Sequence, residues 1–124
     1  MWSHGKFYWN ELMTRDVEAA KKFYGATIGW TFDPMPHPLG TYWVAKLGNE
    51  PVAGFLPMSG PDFAGIPEHW FSYIAIDDVD ARLKAAVSAG GKAMREPFDV
   101  PNVGRIAIVM DPRGAASGWI TPAR

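Results

Sequence analysis

Residues Phe7–Trp30, FYWNELMTRDVEAAKKFYGATIGW, are the most informative part of the sequence because a related segment follows later in the chain. It starts with the aromatic residues of a strand, continues with Asp16 as a helix N-cap, and then shows an amphipathic helical pattern. From Trp70 the sequence WFSYIAIDDVDARLKAAVSAGGK repeats this order, and Asp78 aligns with Asp16 at a spacing of 62 residues. In a chain of 124 residues, the second copy therefore starts at the half-way point. Two copies are too few for a solenoid and indicate two similar modules.

Each module is predicted to fold as βαβββ. In the first module the pattern predicts strands at 7–13, 30–32, 41–47 and 52–58, a helix after Asp16, and a proline-rich loop at 33–40. In the second it predicts strands at 70–76, 92–95, 105–110 and 115–121, a helix at about 79–89, and a loop at 96–102. We expect one domain, 1–124, made of module one (1–58), a linker (59–69) and module two (70–124).

The helical spacing also predicts which side chains are buried. On the first helix the apolar face comprises Val17, Ala20, Phe23, Tyr24 and Ile28, and the helix ends at Gly25 or Gly29. On the second helix the apolar face comprises Val79, Leu83, Ala86 and Val87. These faces are expected to pack on the sheets.

The composition is that of an ordinary globular domain and excludes several function classes. Hydrophobic residues make up 48% and charged residues 20%, and 12 Lys and Arg oppose 13 Asp and Glu. Without a basic stripe, nucleic acid is not an expected partner. The absence of cysteine removes disulfides, thiol nucleophiles and thiolate metal sites. No signal-peptide pattern and no long apolar run is present, so we expect a cytoplasmic protein that does not bind membranes.

The chain resembles the vicinal oxygen chelate superfamily, which includes glyoxalase I, bleomycin resistance proteins and extradiol dioxygenases. The matching motifs are Asp16…Phe23-Tyr24…Ile28-Gly29-Trp30, Asp78-Val79…Ala89-Gly90-Gly91 and Asp111-Pro112-Arg113-Gly114. The resemblance implies an α+β fold in which each module carries a curled mixed sheet and the two sheets form a cup around one ligand site. It also implies a homodimer, since family members of this length commonly exchange modules between two chains.

Metal-binding members of this superfamily use one ligand on the first strand and one on the fourth strand of each module, usually His and Glu. The matching first-strand positions here are Trp9 and Phe71, and the fourth-strand positions are Gly54 and Gly118. None of these four residues can coordinate a metal ion of the kind expected. We therefore expect no metal cofactor, with a ring filling the space that the metal would occupy and glycine leaving room for it.

Alternation along the strands predicts an aromatic pocket that contains one carboxylate and one imidazole. The candidate ligand-binding residues are Trp9, Glu11, His69, Phe71, Tyr73 and Trp119. Glu11 and His69 are the candidate acid–base groups. The structural alternatives are core packing for the aromatic residues, and solvent-exposed positions for Glu11 and His69.

Three functions are consistent with these residues. The favoured one is metal-free binding or sequestering of a small aromatic or cationic molecule, because aromatic rings stack on flat ligands and attract cations. The alternative is a glyoxalase-like lyase or isomerase, or a dioxygenase, that uses Glu11 and His69. The third is a module that serves assembly with a partner protein. Fold resemblance cannot choose between them, because one scaffold hosts many chemistries.

Overall fold

The computed structural model describes residues 2–124, and its elements follow a βαβββ order twice. The first set is β1 (Phe7–Thr14), α1 (Val17–Thr27), β2 (Thr31–His37), β3 (Gly40–Leu47) and β4 (Glu50–Pro57). The second is β5 (His69–Ala75), α2 (Val79–Ser88), β6 (Lys92–Val100), β7 (Gly104–Met110) and β8 (Ala116–Pro122). A short 3₁₀ helix, Pro61–Phe63, lies in the connection between the two sets.

The chain forms two compact units. The first unit is Trp9–Phe71, and the second combines the residues up to Tyr8 with Ser72–Arg124. The connection belongs to the first unit because Arg15 donates from Nη2 to the carbonyl oxygens of Phe63 and Ile66, both at 2.7 Å.

The first unit contains a mixed sheet with the strand order β2-β3-β4-β1. The pairs β2–β3 and β3–β4 are antiparallel, whereas β1 and β4 run parallel and place Glu11 opposite Gly54. The second unit repeats this arrangement as β5-β8-β7-β6, with β5 and β8 parallel and Tyr73 opposite Gly118. The predicted fold class, α+β with two βαβββ modules and mixed sheets, is confirmed.

Helix α1 begins and ends as the sequence predicts, but its buried face is narrower. The Ala19 N–H donates to the Asp16 carboxylate at 3.0 Å, and the Gly29 N–H donates to the Tyr24 carbonyl at 3.1 Å. Gly29 has φ +89°, the left-handed conformation that glycine adopts after a helix. The prediction that Phe23 and Ile28 are buried is wrong, since they are 59% and 51% exposed.

The core of the first unit is largely aromatic. Leu12, Ala45, Ala53 and Phe55 are buried, and Val17, Ala20 and Tyr24 of α1 pack against them. Around Phe55, the rings of Tyr24, Trp30 and Trp70 lie at centroid distances of 5.7, 6.4 and 6.1 Å. The Trp70 indole N–H donates to the Tyr24 hydroxyl at 3.1 Å. Aromatic pairs of this kind add to the free energy of burial, so they fix α1 on the sheet.

The core of the second unit lies between α2 and its sheet. The buried side chains are Ile76, Val79, Leu83, Ala107 and Val109. Ala86 packs against them as predicted, but Val87 is 53% exposed, so its predicted burial is wrong. The helix begins at Asp78, whose carboxylate accepts from the Ala81 N–H at 3.1 Å.

Two strands continue into segments predicted as loops. β2 extends through Pro34 and Pro36, and β6 extends through Pro97. Both are the outermost strands of their units, where a residue whose N–H would point away from the sheet can be proline without loss of a ladder hydrogen bond. The loop predictions at 33–40 and 96–102 are therefore wrong for 33–37 and 96–100, whereas 38–39 and 101–102 form turns. Among residues 2–124, neither α-helix has the length and apolar character that a membrane-spanning helix needs.

Candidate functional site

Strand alternation gives the first sheet two different faces. Leu12, Ala53 and Phe55 point toward α1, where they form the core. Their neighbours Glu11 and Gly54, which pair with each other, therefore point the other way. We call this side of the first sheet the Glu11 face.

A chain of hydrogen bonds runs across the Glu11 face. The Trp9 indole N–H donates to the Tyr42 hydroxyl oxygen at 2.9 Å, and the Tyr42 hydroxyl in turn donates to Glu11. Burial raises the pKa of Tyr42, and the negative charge of Glu11 raises it further. Glu11 itself is only 7% exposed. Sequential hydrogen bonds polarise one another, so the bonds from Trp9 to Tyr42 and from Tyr42 to Glu11 together stabilise the carboxylate anion of the largely buried Glu11.

The position of Tyr42 depends on the glycine opposite Glu11. A Cβ atom on Gly54 would lie 1.5 Å from the Tyr42 hydroxyl oxygen and 2.2 Å from its Cζ. Any other residue at position 54 would therefore displace the hydroxyl that joins Trp9 to Glu11. Glycine is required here by close approach of a side chain, and not by backbone conformation.

The second unit uses the same arrangement with a different tyrosine. Tyr73 lies opposite Gly118 on β8, and a Cβ atom on Gly118 would lie 2.2 Å from Cδ2 of the Tyr73 ring. In each unit, then, a tyrosine ring packs directly on the glycine of the fourth strand. The aromatic rings that fill this space are Tyr42 and Tyr73, whereas the sequence pointed to Trp9 and Phe71.

His37 extends the Glu11 face along the β2–β3 hairpin. Its ring stacks on the Tyr42 ring at a centroid distance of 5.9 Å and an interplanar angle of 23°. The Leu39 N–H donates to His37 Nδ1 at 3.1 Å, and partial burial lowers the pKa of this histidine. No sequence pattern indicated this role of His37, because the proline-rich segment that contains it was predicted to be a loop.

The other predicted site residues lie in different places. Trp70 packs on the α1 side, so its neighbours His69 and Phe71 point to the opposite side, where their rings meet edge to face at 6.2 Å. His69 Nδ1 lies 2.8 Å from the Pro67 carbonyl oxygen. Tyr73 belongs to the second unit.

Trp119 lies on the α2 side of the second sheet. It packs against the core of α2, and its indole N–H donates to the Ser117 hydroxyl at 3.1 Å. It also lines a mostly apolar cavity of about 190 Å³ together with Ala86, Ala89 and Pro112. Because neighbouring residues alternate in a strand, this side is opposite to the one on which Gly118 meets Tyr73.

The residues at the metal positions of the superfamily do not fit a metal ion. Trp9 and Phe71 offer no ligand atom, since an indole nitrogen only donates and this one donates to Tyr42. At Gly54 and Gly118 the tyrosine rings occupy the space into which a carboxylate side chain would extend. No group of three or more His, Asp and Glu residues suited to a metal occurs within residues 2–124.

Comparison with known proteins identifies the sequence family. Residues 7–116 match the model of the Glyoxalase/Bleomycin resistance protein/Dioxygenase superfamily. CFP32 of Mycobacterium tuberculosis, whose glyoxylase name is provisional, is 44% identical over 120 residues, which are 96% of this chain and 45% of CFP32. The anthracycline biosynthesis protein DnrV of Streptomyces peucetius is 34% identical over 120 residues, with 87% and 44% covered. The chain thus spans less than half the length of these relatives.

Solved structures share the fold at low sequence identity. Methylmalonyl-CoA epimerase of Streptomyces coelicolor, solved with 2-nitronate-propionyl-CoA, superposes with a TM-score of 0.73 at 19% identity, covering 98% of this chain and 100% of that one. A hypothetical protein of Bacillus halodurans gives a TM-score of 0.74 at 15% identity, covering 98% and 97%. At these identities the similarity concerns the fold.

Proposed function

The chain belongs to the Glyoxalase/Bleomycin resistance protein/Dioxygenase superfamily, and on this premise we propose that it binds a small aromatic, cationic molecule without a metal ion. One observation carries the proposal. On the Glu11 face, Tyr42 fills the space above Gly54 and connects Trp9 to a largely buried carboxylate. A superfamily metal position is thereby replaced by an aromatic, negatively charged surface.

The chemistry of this surface suits an organic cation. A carboxylate that accepts a hydrogen bond from Tyr42 is held in one orientation, and its negative charge acts on its surroundings, as the raised pKa of Tyr42 shows. Because Glu11 is largely buried, its attraction for a positive charge is stronger than that of the same pair in water. Trp9 and Tyr42 contribute rings, which stack on flat ligands and attract cations.

The name of one relative, DnrV, agrees with a flat ligand. DnrV is named for the biosynthesis of an anthracycline, and anthracyclines are fused-ring aromatic compounds. The chain spans less than half of DnrV, so we take from this name only the flat shape of the ligand. A cytoplasmic location, a homodimer and the absence of nucleic-acid and membrane partners belong to the same proposal.

The metal part of the proposal is tested by elemental analysis of freshly purified protein together with a chelator titration. We expect less than stoichiometric Ni, Zn, Mn and Fe, and an unchanged melting temperature after chelation, because no metal-binding free energy is lost from the folded state. A stoichiometric metal whose removal lowers the melting temperature would contradict it.

The ligand part is tested with two probes that differ by one ammonium group, 2-(aminomethyl)anthracene and 2-methylanthracene, measured by tryptophan fluorescence quenching and calorimetry. We expect the amine to bind more tightly to the natural protein. Glu11→Gln should remove this preference while keeping the uncharged probe's affinity, and Trp9→Leu should weaken both probes. Equal binding of the two probes by the natural protein, or no binding of either, would refute the proposal.

A second candidate is a glyoxalase-like enzyme, favoured by the glyoxylase name of CFP32 at 44% identity. In that reading Glu11 acts as the base and His69 as its acid–base partner. Conversion of the methylglyoxal–thiol hemithioacetal by the natural protein, lost in both Glu11→Gln and His69→Gln, would support it. A dioxygenase reading would require a metal site, which the residues at the superfamily positions do not provide.

A further inference from the structure

We propose that His37 is a second ligand-binding residue of the Glu11 face, and that its Nε2–H donates a hydrogen bond to an oxygen on the ligand's ring system. This inference rests on the proposed function and narrows its ligand class. The ligand would be an aromatic ammonium compound that also carries a ring carbonyl or comparable acceptor oxygen.

The stacking on Tyr42 places His37 at the site. The two rings lie 5.9 Å apart between centroids and are inclined by only 23°, so the imidazole lies along one side of Tyr42. The hydroxyl end of the same Tyr42 contacts Glu11 and Trp9. Tyr42 therefore contacts both a histidine and a carboxylate.

The hydrogen bond from Leu39 decides which ring nitrogen of His37 can donate. Because the Leu39 N–H donates to Nδ1 at 3.1 Å, Nδ1 acts as the acceptor and the proton of the neutral ring resides on Nε2. Every buried side-chain nitrogen or oxygen within residues 2–124 has a hydrogen-bond partner, so Nε2 would also need one if it were buried. The hydrogen bond of His37 is made through Nδ1. Nε2 is therefore not buried, and a ligand can reach it.

The charge states of His37 and Glu11 suit two different groups of one ligand. Burial lowers the pKa of His37 below its usual value, so at neutral pH the imidazole is an uncharged donor and does not repel a cation. Glu11, in contrast, accepts from Tyr42 and attracts positive charge. One surface thus offers a neutral donor and an anionic acceptor, which together select a ligand with an acceptor oxygen and an ammonium group.

The experiment crosses two ligands with three proteins. The ligands are 2-(aminomethyl)anthraquinone and 2-(aminomethyl)anthracene, which share the ring framework and the amine but differ in the two carbonyl oxygens. The proteins are the natural chain, His37→Phe, which keeps a ring on Tyr42 without a donor, and His37→Gln, whose side-chain amide keeps an N–H donor. Dissociation constants are measured by calorimetry, and the fold of each variant is checked by its circular dichroism spectrum and melting temperature.

We expect the natural protein to prefer the quinone, His37→Phe to lose about five- to tenfold in affinity for the quinone only, and His37→Gln to retain part of the preference. Equal affinity of the natural protein for both ligands would overturn the role of His37 while leaving the proposed function intact. An equal loss for both ligands in His37→Phe would likewise overturn it, since a stacking or structural role affects both. Absence of binding of either amine would refute the proposed function and the inference together.

Discussion

Replacing Gly54 by alanine gives the sharpest test of how the Glu11 face is built. A Cβ atom at this position would lie 1.5 Å from the Tyr42 hydroxyl oxygen and 2.7 Å from Cε1 of the ring, far inside any allowed contact. Backbone movement in the middle of a sheet costs more than rotation of one side chain, so we expect the Tyr42 ring to turn away. That rotation breaks its hydrogen bonds to Trp9 and Glu11.

The expected loss follows from these two hydrogen bonds. A neutral hydrogen bond contributes about 1 kcal/mol to the free energy of unfolding, and one to a charged group about 1.5–3 kcal/mol. Gly54→Ala should therefore reduce the free energy of unfolding by about 2.5–4 kcal/mol. In a Tyr42→Ala background the added methyl group meets no ring, and alanine is favoured over glycine within a strand by about 0.5–1 kcal/mol. There the same substitution should be neutral or stabilising.

Urea unfolding of the four proteins in this double-mutant cycle measures the difference. The natural chain, Gly54→Ala, Tyr42→Ala and the double variant should give a coupling energy of at least about 2.5 kcal/mol between the two positions. Equal destabilisation by Gly54→Ala in both backgrounds would contradict this prediction, because glycine would then be required for a reason other than the Tyr42 ring.

Further predictions concern titration, helix capping and assembly. The pKa of folded Tyr42 is raised above its unfolded value near 10, so its contribution to the free energy of unfolding is complete below that pH and decreases as the pH rises further. Tyr42→Phe should therefore flatten the dependence of this free energy on pH above about pH 10, as measured by chemical unfolding. Asp16→Ala removes the cap bond to Ala19 and should cost about 1 kcal/mol, whereas Asp16→Asn should cost little, as measured by urea unfolding. Light scattering at micromolar concentration should show a homodimer, and a mass of one chain would contradict this prediction.

The repeat made much of the fold predictable from sequence. Asp16 and Asp78 each cap a helix through local hydrogen bonds. The position of each aspartate relative to the apolar residues that follow it was therefore enough to place both helices. The faces of β1 were equally readable, because alternation separates Glu11 from the buried Leu12 whatever the rest of the chain does. Signals of this kind depend on neighbours within a few residues.

The contact of Tyr42 with Gly54 could not be predicted, because the register of the hairpin is irregular. The pairing of β3 with β4 shifts between Ala45 and Lys46, where Val52 is an extra residue on β4 that forms a β-bulge. Regular pairing from the Gly48 turn would set Gly54 opposite Trp43, whereas the structure sets it opposite Val44, on the face of Tyr42. Its partners Trp9 and Glu11 also lie more than 30 residues away in the chain. Only the assembled sheet brings them together.

The prolines of the outer strands have a consequence for how the chain can associate. A growing β-sheet adds a strand through backbone N–H and C=O groups, and Pro34 and Pro36 deprive one side of β2 of two successive donors. Pro97, together with the irregular pairing of β6 around Arg95, has a similar effect in the second unit. These strands are poor templates for the edge-to-edge joining that begins amyloid-like aggregation. Contacts between copies are therefore expected to use side-chain surfaces, so the sheets stay finite at high protein concentration.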